Sequence, residues 1–151
     1  MFQRLTYCTS DQCEDHLHLG ASPEGTVSGS CCGRGTLEIK CPYKHRAGLT
    51  SCSEDLQFCL DTTGQLKRTY PYYYQVQQQM FVCDVHYSDF VVWTKQVMVI
   101  NRIVRDADLL LKAIPKSEHL FLDHLLPELL TPSMDPSIVD EHTATVQTMA
   151  R

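Results

Sequence analysis

The chain reads Gly35-Thr36-Leu37-Glu38-Ile39-Lys40-Cys41-Pro42 over residues 35–42, so that two charged side chains alternate with apolar ones. Successive side chains of a β-strand point to opposite faces, which lets Leu37 and Ile39 face a core while Glu38 and Lys40 share the other side. The stretch therefore predicts a strand over residues 35–40 that holds a carboxylate next to an ammonium group.

A second carboxylate lies upstream, in Ser22-Pro23-Glu24-Gly25. Proline presets φ and glycine tolerates positive φ, so this segment predicts a turn, flanked by residues 17–21 and 26–28 as a pair of short strands. Mg²⁺ takes oxygen ligands and keeps several waters, so the two carboxylates and Lys40 suit a Mg²⁺ site for phosphodiester hydrolysis. An ordinary solvated strand face with a weak ion pair fits the Glu-x-Lys spacing as well.

Apolar side chains recur at helical spacing farther along the chain. They predict a helix over residues 72–83, with Pro71 suited to its first turn. Two β-rich runs, residues 89–94 and 97–104, predict a hairpin at the far side of the sheet. The residues that carry the helical spacing are Tyr73, Val76, Met80 and Cys83.

The C-terminal part of the chain has two further helical patterns, at residues 106–114 and 117–130. Ser117 suits the N-cap of the second helix, whose apolar face predicts core packing. Scattered prolines and few apolar residues from residue 131 predict a flexible tail over 131–151. The apolar face comprises Leu120, Phe121, Leu125, Leu126 and Leu129.

Three motifs, in this order, resemble the YqaJ-like viral recombinase family, which includes the lambda-type phage exonucleases of the PD-(D/E)XK nuclease superfamily. The resemblance covers residues 17–130 and implies an α/β, restriction-endonuclease-like core with a central mixed sheet flanked by helices. Residues 1–16 are expected to form an irregular N-terminal segment. The motifs are Ala21-Ser22-Pro23-Glu24-Gly25, Leu37-Glu38-Ile39-Lys40-Cys41-Pro42 and Tyr72-Tyr73-Tyr74-Gln75-Val76-Gln77, and the similarity continues through Asp89–Thr94 to Leu126–Leu130.

The resemblance also implies a role for each matching residue. Glu24 and Glu38 match the metal-binding acids, and the backbone carbonyl of Ile39 matches a further metal ligand. Lys40 matches the catalytic lysine, and Gln75 matches a glutamine that lies beside the active site. Glu38, Lys40 and Gln75 are therefore the expected catalytic residues.

The activity implied by the resemblance is Mg²⁺- or Mn²⁺-dependent exonucleolytic digestion of linear double-stranded DNA, often in recombination. Two departures from the family pattern bear on it. Glu24 stands where the family usually has Asp, and the family's upstream helices are not found before Ser22. We therefore expect an N-terminally truncated nuclease with weak or absent activity. The alternative is a non-catalytic remnant that binds DNA or a protein.

The composition is that of one soluble domain. The chain has 151 residues, of which 43% are hydrophobic and 21% charged, enough for one core. No run approaches the length of a membrane span, and the first residues lack the apolar stretch of a secretory signal. These features predict an intracellular location, nuclear or cytoplasmic, without a membrane partner.

The formal net charge of −5 means that contact with DNA needs a local basic patch rather than the field of the whole protein. The expected nucleic-acid contacts are Lys44, Arg46 and Tyr72. His45, Lys67 and Arg68 are further candidates, although a solvated basic face explains the same charges. Absence of the upstream helices would also leave apolar surface exposed, which favours a homo-oligomer.

Eight cysteines are spread over the chain, and without a secretory signal they are expected to be reduced thiols. Cys8 and Cys13, with His16 or His18, come nearest to a zinc site, so a zinc-stabilised binding module is a third hypothesis. Cys59 and Cys83 suit the core. The eight are Cys8, Cys13, Cys31, Cys32, Cys41, Cys52, Cys59 and Cys83.

Overall fold

The structure is a computed structural model that describes residues 11–13, 16–46, 48, 55 and 57–130. The chain divides into two compact units, residues 1–112 and 113–151. The elements are β1 (Asp11–Cys13), β2 (His16–Ala21), β3 (Gly25–Gly29), β4 (Gly33–Lys40), a 3₁₀ turn (Tyr43–His45), α1 (Pro71–Val82), β5 (Tyr87–Trp93), β6 (Met98–Val104), α2 (Ala107–Leu120), a π-helical segment (Phe121–Leu125) and α3 (Leu126–Leu130). The tail predicted over residues 131–151 lies outside the described part.

The first unit is organised around a four-stranded sheet in the order β3-β4-β5-β6. Strands β4 and β5 are parallel, whereas the two outer pairs are antiparallel. The predicted mixed sheet, the strand over residues 35–40 and the hairpin of β5 and β6 at the sheet's edge are thus confirmed. A parallel pair needs a crossover connection, and the segment that contains α1 supplies it.

Strand β2 does not pair with β3, so the strand pair predicted around the Glu24 turn is wrong. Instead β2 pairs with β1 in a separate two-stranded sheet, with Asp11 opposite Ala21. The turn carries the chain from this small sheet into the central one, where Gly25 pairs with Leu37. Because β1 lies within residues 1–16, that segment is not irregular throughout, while the domain limits at residues 17 and 130 stay a prediction.

Helix α1 begins at Pro71, confirming the predicted helix, but its buried side is unusually polar. Val76 and Met80 are fully buried, as expected of a core face, yet Gln77 and Gln79 are buried as well. Gln77 holds the end of β6 to the start of α2: its Nε2 donates to the Val104 carbonyl at 2.9 Å, and its Oε1 accepts from the backbone N–H of Asp106 at 2.8 Å. Buried amides require such partners, because an unpaired one costs stability.

The opposite face of the sheet carries an apolar cluster of Val27, Leu37, Tyr87 and Val91. Next to it Asp89 is almost fully buried, and both of its carboxylate oxygens accept hydrogen bonds at 2.8 Å from the guanidinium of Arg102 on the neighbouring strand. This bidentate geometry is the strong form of the ion pair. Apolar side chains farther along the strands are exposed, among them Trp93, Met98, Ile100 and Val104.

Helix α2 does not stop at Pro115, so the predicted break and the N-cap at Ser117 are wrong. The Ser117 hydroxyl donates to the Ile114 carbonyl at 2.7 Å instead. Core packing of the apolar face is also not observed, since Leu120 and Leu129 are 54% and 69% exposed. Among the described residues, no helix is long and apolar enough to span a membrane.

Asp106 caps the N-terminus of α2 and gives this helix a pH-dependent contribution to stability. Its Oδ1 accepts from the Leu109 backbone N–H at 3.1 Å, and its carboxylate pairs with Arg68. The Leu109 hydrogen bond lowers the pKa of Asp106 below 3.8, helped by the charge of Arg68. Because the folded-state pKa is depressed, this stabilisation is present above the unfolded-state value and is lost as the pH falls through the folded-state value.

We therefore expect Asp106→Ala to lower the thermal midpoint by a few degrees at neutral pH and to matter least in acid. Asp106→Asn keeps a capping acceptor and should retain more of the stability at neutral pH. Thermal melts of both variants at neutral and acidic pH check this. An alanine variant as stable as the wild type at neutral pH would contradict the capping role.

Candidate active site

The site is built around the carboxylate of Glu38 on β4, whose side chain is only 3% exposed. Its Oε1 accepts hydrogen bonds from Lys40 Nζ at 2.5 Å and from Gln75 Nε2 at 2.9 Å, while its Oε2 accepts one from Gln79 Nε2 at 2.8 Å. Strand β4 supplies one of these donors, and helix α1, which is distant in sequence, supplies the other two. The structure brings Glu38, Lys40 and Gln75 together, and their catalytic roles stay a prediction.

Gln79 is a member of this cluster that the sequence analysis did not single out. It follows Gln75 by one helical turn, so both amides project from the same face of α1 towards β4. Its nitrogen must face the carboxylate, because two oxygens would repel each other. The signal that could have revealed it was the i, i+4 spacing of two glutamines on a helix that packs on an acidic strand.

Gln79 also carries a buried polar atom without a partner. Its Oε1 finds no hydrogen-bond donor among the described residues, and the residue is only 3% exposed. Native proteins rarely leave a buried acceptor unpaired, and an ordered water is the usual solution. The unpaired oxygen lies on the same amide that donates to Glu38, so a donor is expected beside this carboxylate.

Lys40 lies at the end of β4, where the site meets solvent. Its side chain is 23% exposed, and Nζ lies 4.6 Å from the centre of the Tyr72 ring. Tyr72 packs in turn on Phe90 of β5, with ring centres 6.0 Å apart. The ammonium group is thereby held between a carboxylate and an aromatic face, and both attract a cation.

Glu24 occupies the turn before β3 and is exposed. The antiparallel pairing begins at Gly25, which lies opposite Leu37, so the preceding residue Glu24 lies at the level of Glu38 on the neighbouring strand. Ile39 follows Glu38 on β4, and its side chain lies on the opposite face of the sheet. Whether Glu24 and the Ile39 carbonyl bind metal stays a prediction.

Within the described ranges, no group of three or more His, Cys, Asp and Glu side chains is arranged to hold a metal ion. A Mg²⁺ site needs fewer, since one or two carboxylates and several waters suffice. A carboxylate has about four lone-pair positions, so Glu38 keeps about one beyond its three hydrogen bonds, and the unpaired Gln79 oxygen can accept from a metal-bound water. The zinc alternative rests on Cys8 and the Cys13 side chain, which lie outside the described part.

The residues expected to touch nucleic acid are mostly engaged within the protein. Lys44 Nζ pairs with Asp55 at 2.6 Å, and this hydrogen bond lowers the pKa of the Asp55 carboxyl. Arg46 lies over the Tyr43 ring at 4.2 Å. His45 is buried with its Nε2 3.2 Å from Asp55, so it does not belong to a basic surface.

Two further candidates for a basic patch, Lys67 and Arg68, also have internal partners. Lys67 Nζ donates to the Phe58 carbonyl at 2.8 Å, and Arg68 pairs with Asp106. The Arg68–Asp106 ion pair is exposed on the Arg68 side and such pairs are weak, so Arg68 can exchange its partner for a phosphate group. Contact with DNA through Lys44, Arg46 or Tyr72 stays a prediction.

Comparisons with known proteins agree with this geometry. A model of the YqaJ-like viral recombinase domain matches residues 4–86. The crystal structure of an alkaline exonuclease, LHK-Exo from Laribacter hongkongensis, is 27% identical over 83% of this chain, with a TM-score of 0.58. The structure of LHK-Exo in complex with dAMP is 28% identical over 83% of this chain, with a TM-score of 0.60. The predicted PD-(D/E)XK fold is thereby confirmed.

This chain covers 58% of the length of LHK-Exo in both structures. No curated protein is similar enough to the chain to count as a relative.

Proposed function

Because the chain belongs to the YqaJ-like viral recombinase family, we propose that it is a Mg²⁺- or Mn²⁺-dependent exonuclease that hydrolyses phosphodiester bonds of linear double-stranded DNA. The observation that carries the proposal is the buried Glu38 carboxylate, which accepts hydrogen bonds from Lys40, Gln75 and Gln79. An ordinary solvated Glu-x-Lys pair has neither this burial nor two amides from a helix directed at it.

Lys40 is the residue that meets the reacting phosphate in this proposal. Its ammonium group is partly exposed, so an incoming phosphate can reach it without a rearrangement of the strand. There it can orient the attacking water and stabilise the negative charge that develops on the phosphate. The nearby Tyr72 ring limits the positions open to the ammonium group and so reduces the entropy lost when substrate binds.

Gln75 and Gln79 are positioning residues. Their amide nitrogens bind different oxygens of Glu38, which fixes the carboxylate plane relative to β4. Preorganised ligands bind a metal ion more tightly than mobile ones, since less side-chain freedom is lost on binding. The unpaired Gln79 Oε1 then accepts a hydrogen bond from water in the same site.

Glu38, Glu24 and the Ile39 carbonyl would hold the metal ion. Bound there, Mg²⁺ or Mn²⁺ would lower the pKa of a coordinated water and offset charge on the phosphate. The donor set is all oxygen, which is the set that these hard cations prefer.

A non-catalytic remnant that binds a protein is the second candidate. The observation that favours it is the group of exposed apolar side chains on the sheet face opposite Glu38. Among them, Met98 and Val104 are 58% and 67% exposed. Exposed apolar surface of this kind also favours self-association into a homo-oligomer. A chain that is folded and binds metal but leaves DNA intact would support this candidate.

The proposed function is tested by incubating the purified chain with 5′-phosphorylated linear duplex DNA in Mg²⁺ or Mn²⁺. Covalently closed circular DNA of the same sequence and an EDTA-treated sample serve as controls. We expect metal-dependent loss of the linear substrate alone. Equal digestion of circular DNA would point to an endonuclease, and no digestion at any metal concentration would reject nuclease activity of this chain.

Glu24 gives a prediction of its own, because its side chain is one methylene longer than the Asp usual in the family. If the longer arm misplaces the metal, Glu24→Asp should raise Mn²⁺ affinity by up to about tenfold, equivalent to about 1.4 kcal/mol. If the turn has adjusted to glutamate, the same change should lower the affinity. Titration calorimetry measures either effect, and an unchanged affinity would show that residue 24 is not a ligand.

A further inference from the structure

Two adjacent thiols lie at the tip of the β3–β4 hairpin, on a part of the molecule that the proposed nuclease chemistry does not use. Cys31 and Cys32 are both exposed, and their Sγ atoms are 2.9 Å apart. The hairpin closes with Gly29 opposite Gly33, and Gly33 has a φ of +71°, which favours glycine. The turn therefore presents two sulfur atoms side by side at the surface.

A fixed cation lies next to this pair. Arg102 Nη1 is 3.5 Å from Cys32 Sγ, while the same guanidinium is bound by Asp89 and lies 4.2 Å over the Tyr87 ring. Tyr87 also holds the hairpin, because its hydroxyl donates to the Gly33 carbonyl at 3.1 Å. Arg102 is thus anchored to the sheet at the position where it can stabilise a thiolate.

The pKa values of the two thiols shift in opposite directions. The hydrogen bond with the Cys32 thiol lowers the pKa of Cys31, and the charge of Arg102 acts in the same direction. The pKa of Cys32 is raised, because its proton is held by the Cys31 sulfur. One sulfur is consequently the better nucleophile and the other retains a proton that is released when a ligand bridges the pair.

We propose that Cys31 and Cys32 form a bidentate site for soft, thiophilic species, namely trivalent arsenicals. Thiolates are soft ligands, and an atom that binds both sulfurs at about 2.3 Å with a near-right angle between its bonds needs them roughly 3.3 Å apart. The observed separation is close to that value. Zn²⁺ is a poor occupant, since it takes four ligands and no third His, Cys, Asp or Glu completes a site among the described residues.

Phenylarsine oxide is a suitable probe because its reaction with a dithiol balances without an oxidant or reductant. Two S–H bonds and the arsenic–oxygen bond break, two As–S bonds form, and the oxygen leaves with both protons as water. A single thiol can form only one As–S bond, which an excess of another monothiol displaces. The bridged product resists a monothiol because both bonds would have to break together, but it yields to a competing dithiol.

The test compares the reduced wild-type chain, residues 1–151, with Cys31→Ser, Cys32→Ser and Cys41→Ser after treatment with phenylarsine oxide and excess 2-mercaptoethanol. Cys41 is exposed and has no cysteine next to it in the sequence, so Cys41→Ser is the matched control. We expect intact-mass measurements to show one bound phenylarsenic group fewer in each of the first two variants than in the wild type and Cys41→Ser. 2,3-Dimercaptopropanol should remove that group.

Phenylarsenic groups bound by other cysteines add the same mass to all four proteins. The result is therefore the difference in the number of bound groups between the variants and the wild type. The peptide that spans residues 29–34 should carry the added mass in the wild type. The same number of bound groups in all four proteins, or an added mass absent from this peptide, would overturn the proposal. Neither readout depends on DNA cleavage, so the outcome is separate from that of the proposed function.

Discussion

Substituting Lys40 with alanine should lower the rate of metal-dependent DNA cleavage by about 10²–10⁴-fold, the range expected for one group that acts on a transferred proton or on developing charge. The variant loses the ammonium that lies 2.5 Å from Glu38 at the solvent-facing end of β4. Gln75 and Gln79 still donate to the carboxylate, so the fold and Mn²⁺ binding should persist. Single-turnover cleavage of linear duplex DNA measures the loss of rate.

Lys95→Ala is the matched control, because Lys95 is an exposed lysine in the β5–β6 turn. It should cut at the wild-type rate, and both variants should give the wild-type circular dichroism spectrum. Unaltered cleavage by purified Lys40→Ala would remove Lys40 from the mechanism. Loss of the folded spectrum would instead show that the Lys40–Glu38 pair is structural.

Glu38→Gln should abolish measurable Mg²⁺ or Mn²⁺ binding and cost about 1–3 kcal/mol of unfolding free energy, the usual penalty for unpaired buried polar groups. A carboxylate accepts from all three surrounding donors, but an amide directs an NH₂ group towards at least one of them. The side chain is 3% exposed, so water cannot easily compensate. Calorimetric titration measures the affinity for the metal ion, and chemical denaturation measures the free energy of unfolding.

The control for this change is Glu118→Gln on the exposed surface of α2. It removes the same charge and should alter neither property. Wild-type metal affinity in a destabilised Glu38→Gln would restrict Glu38 to a structural role. Lys40→Ala and Glu38→Gln together separate metal binding from the chemical step. Of the two, only Glu38→Gln should weaken metal binding, whereas both should prevent DNA cleavage.

Local patterns were sufficient for the elements that form the site. The alternation at residues 37–40 determines which side chains share a face of β4, because the β-strand repeat is a property of the backbone itself. Helix α1 follows from the spacing of Val76 and Met80 and from Pro71, which suits a first helical turn. The match of the family model to residues 4–86 agrees with the resemblance found in the same motifs.

Other features could not be predicted from local sequence, since they depend on contacts between distant segments. The partner of β2 is one example: the turn signal at Glu24 is real, but a turn does not specify which strand the chain joins next. Pro115 is a separate case, since the sequence predicts two helices on either side of residues 115–116 and one continuous helix is observed.

The sequence by itself thus determined the strand that carries Glu38 and Lys40, because strand periodicity is encoded by neighbouring residues. Only the tertiary structure decided that Gln79, 41 residues from Glu38, completes the carboxylate's hydrogen bonds, and that Arg102, 70 residues from Cys32, lies beside the thiols. The packing of whole elements brings such partners together. That packing depends on the sum of many weak contacts, which cannot be predicted from a local sequence pattern.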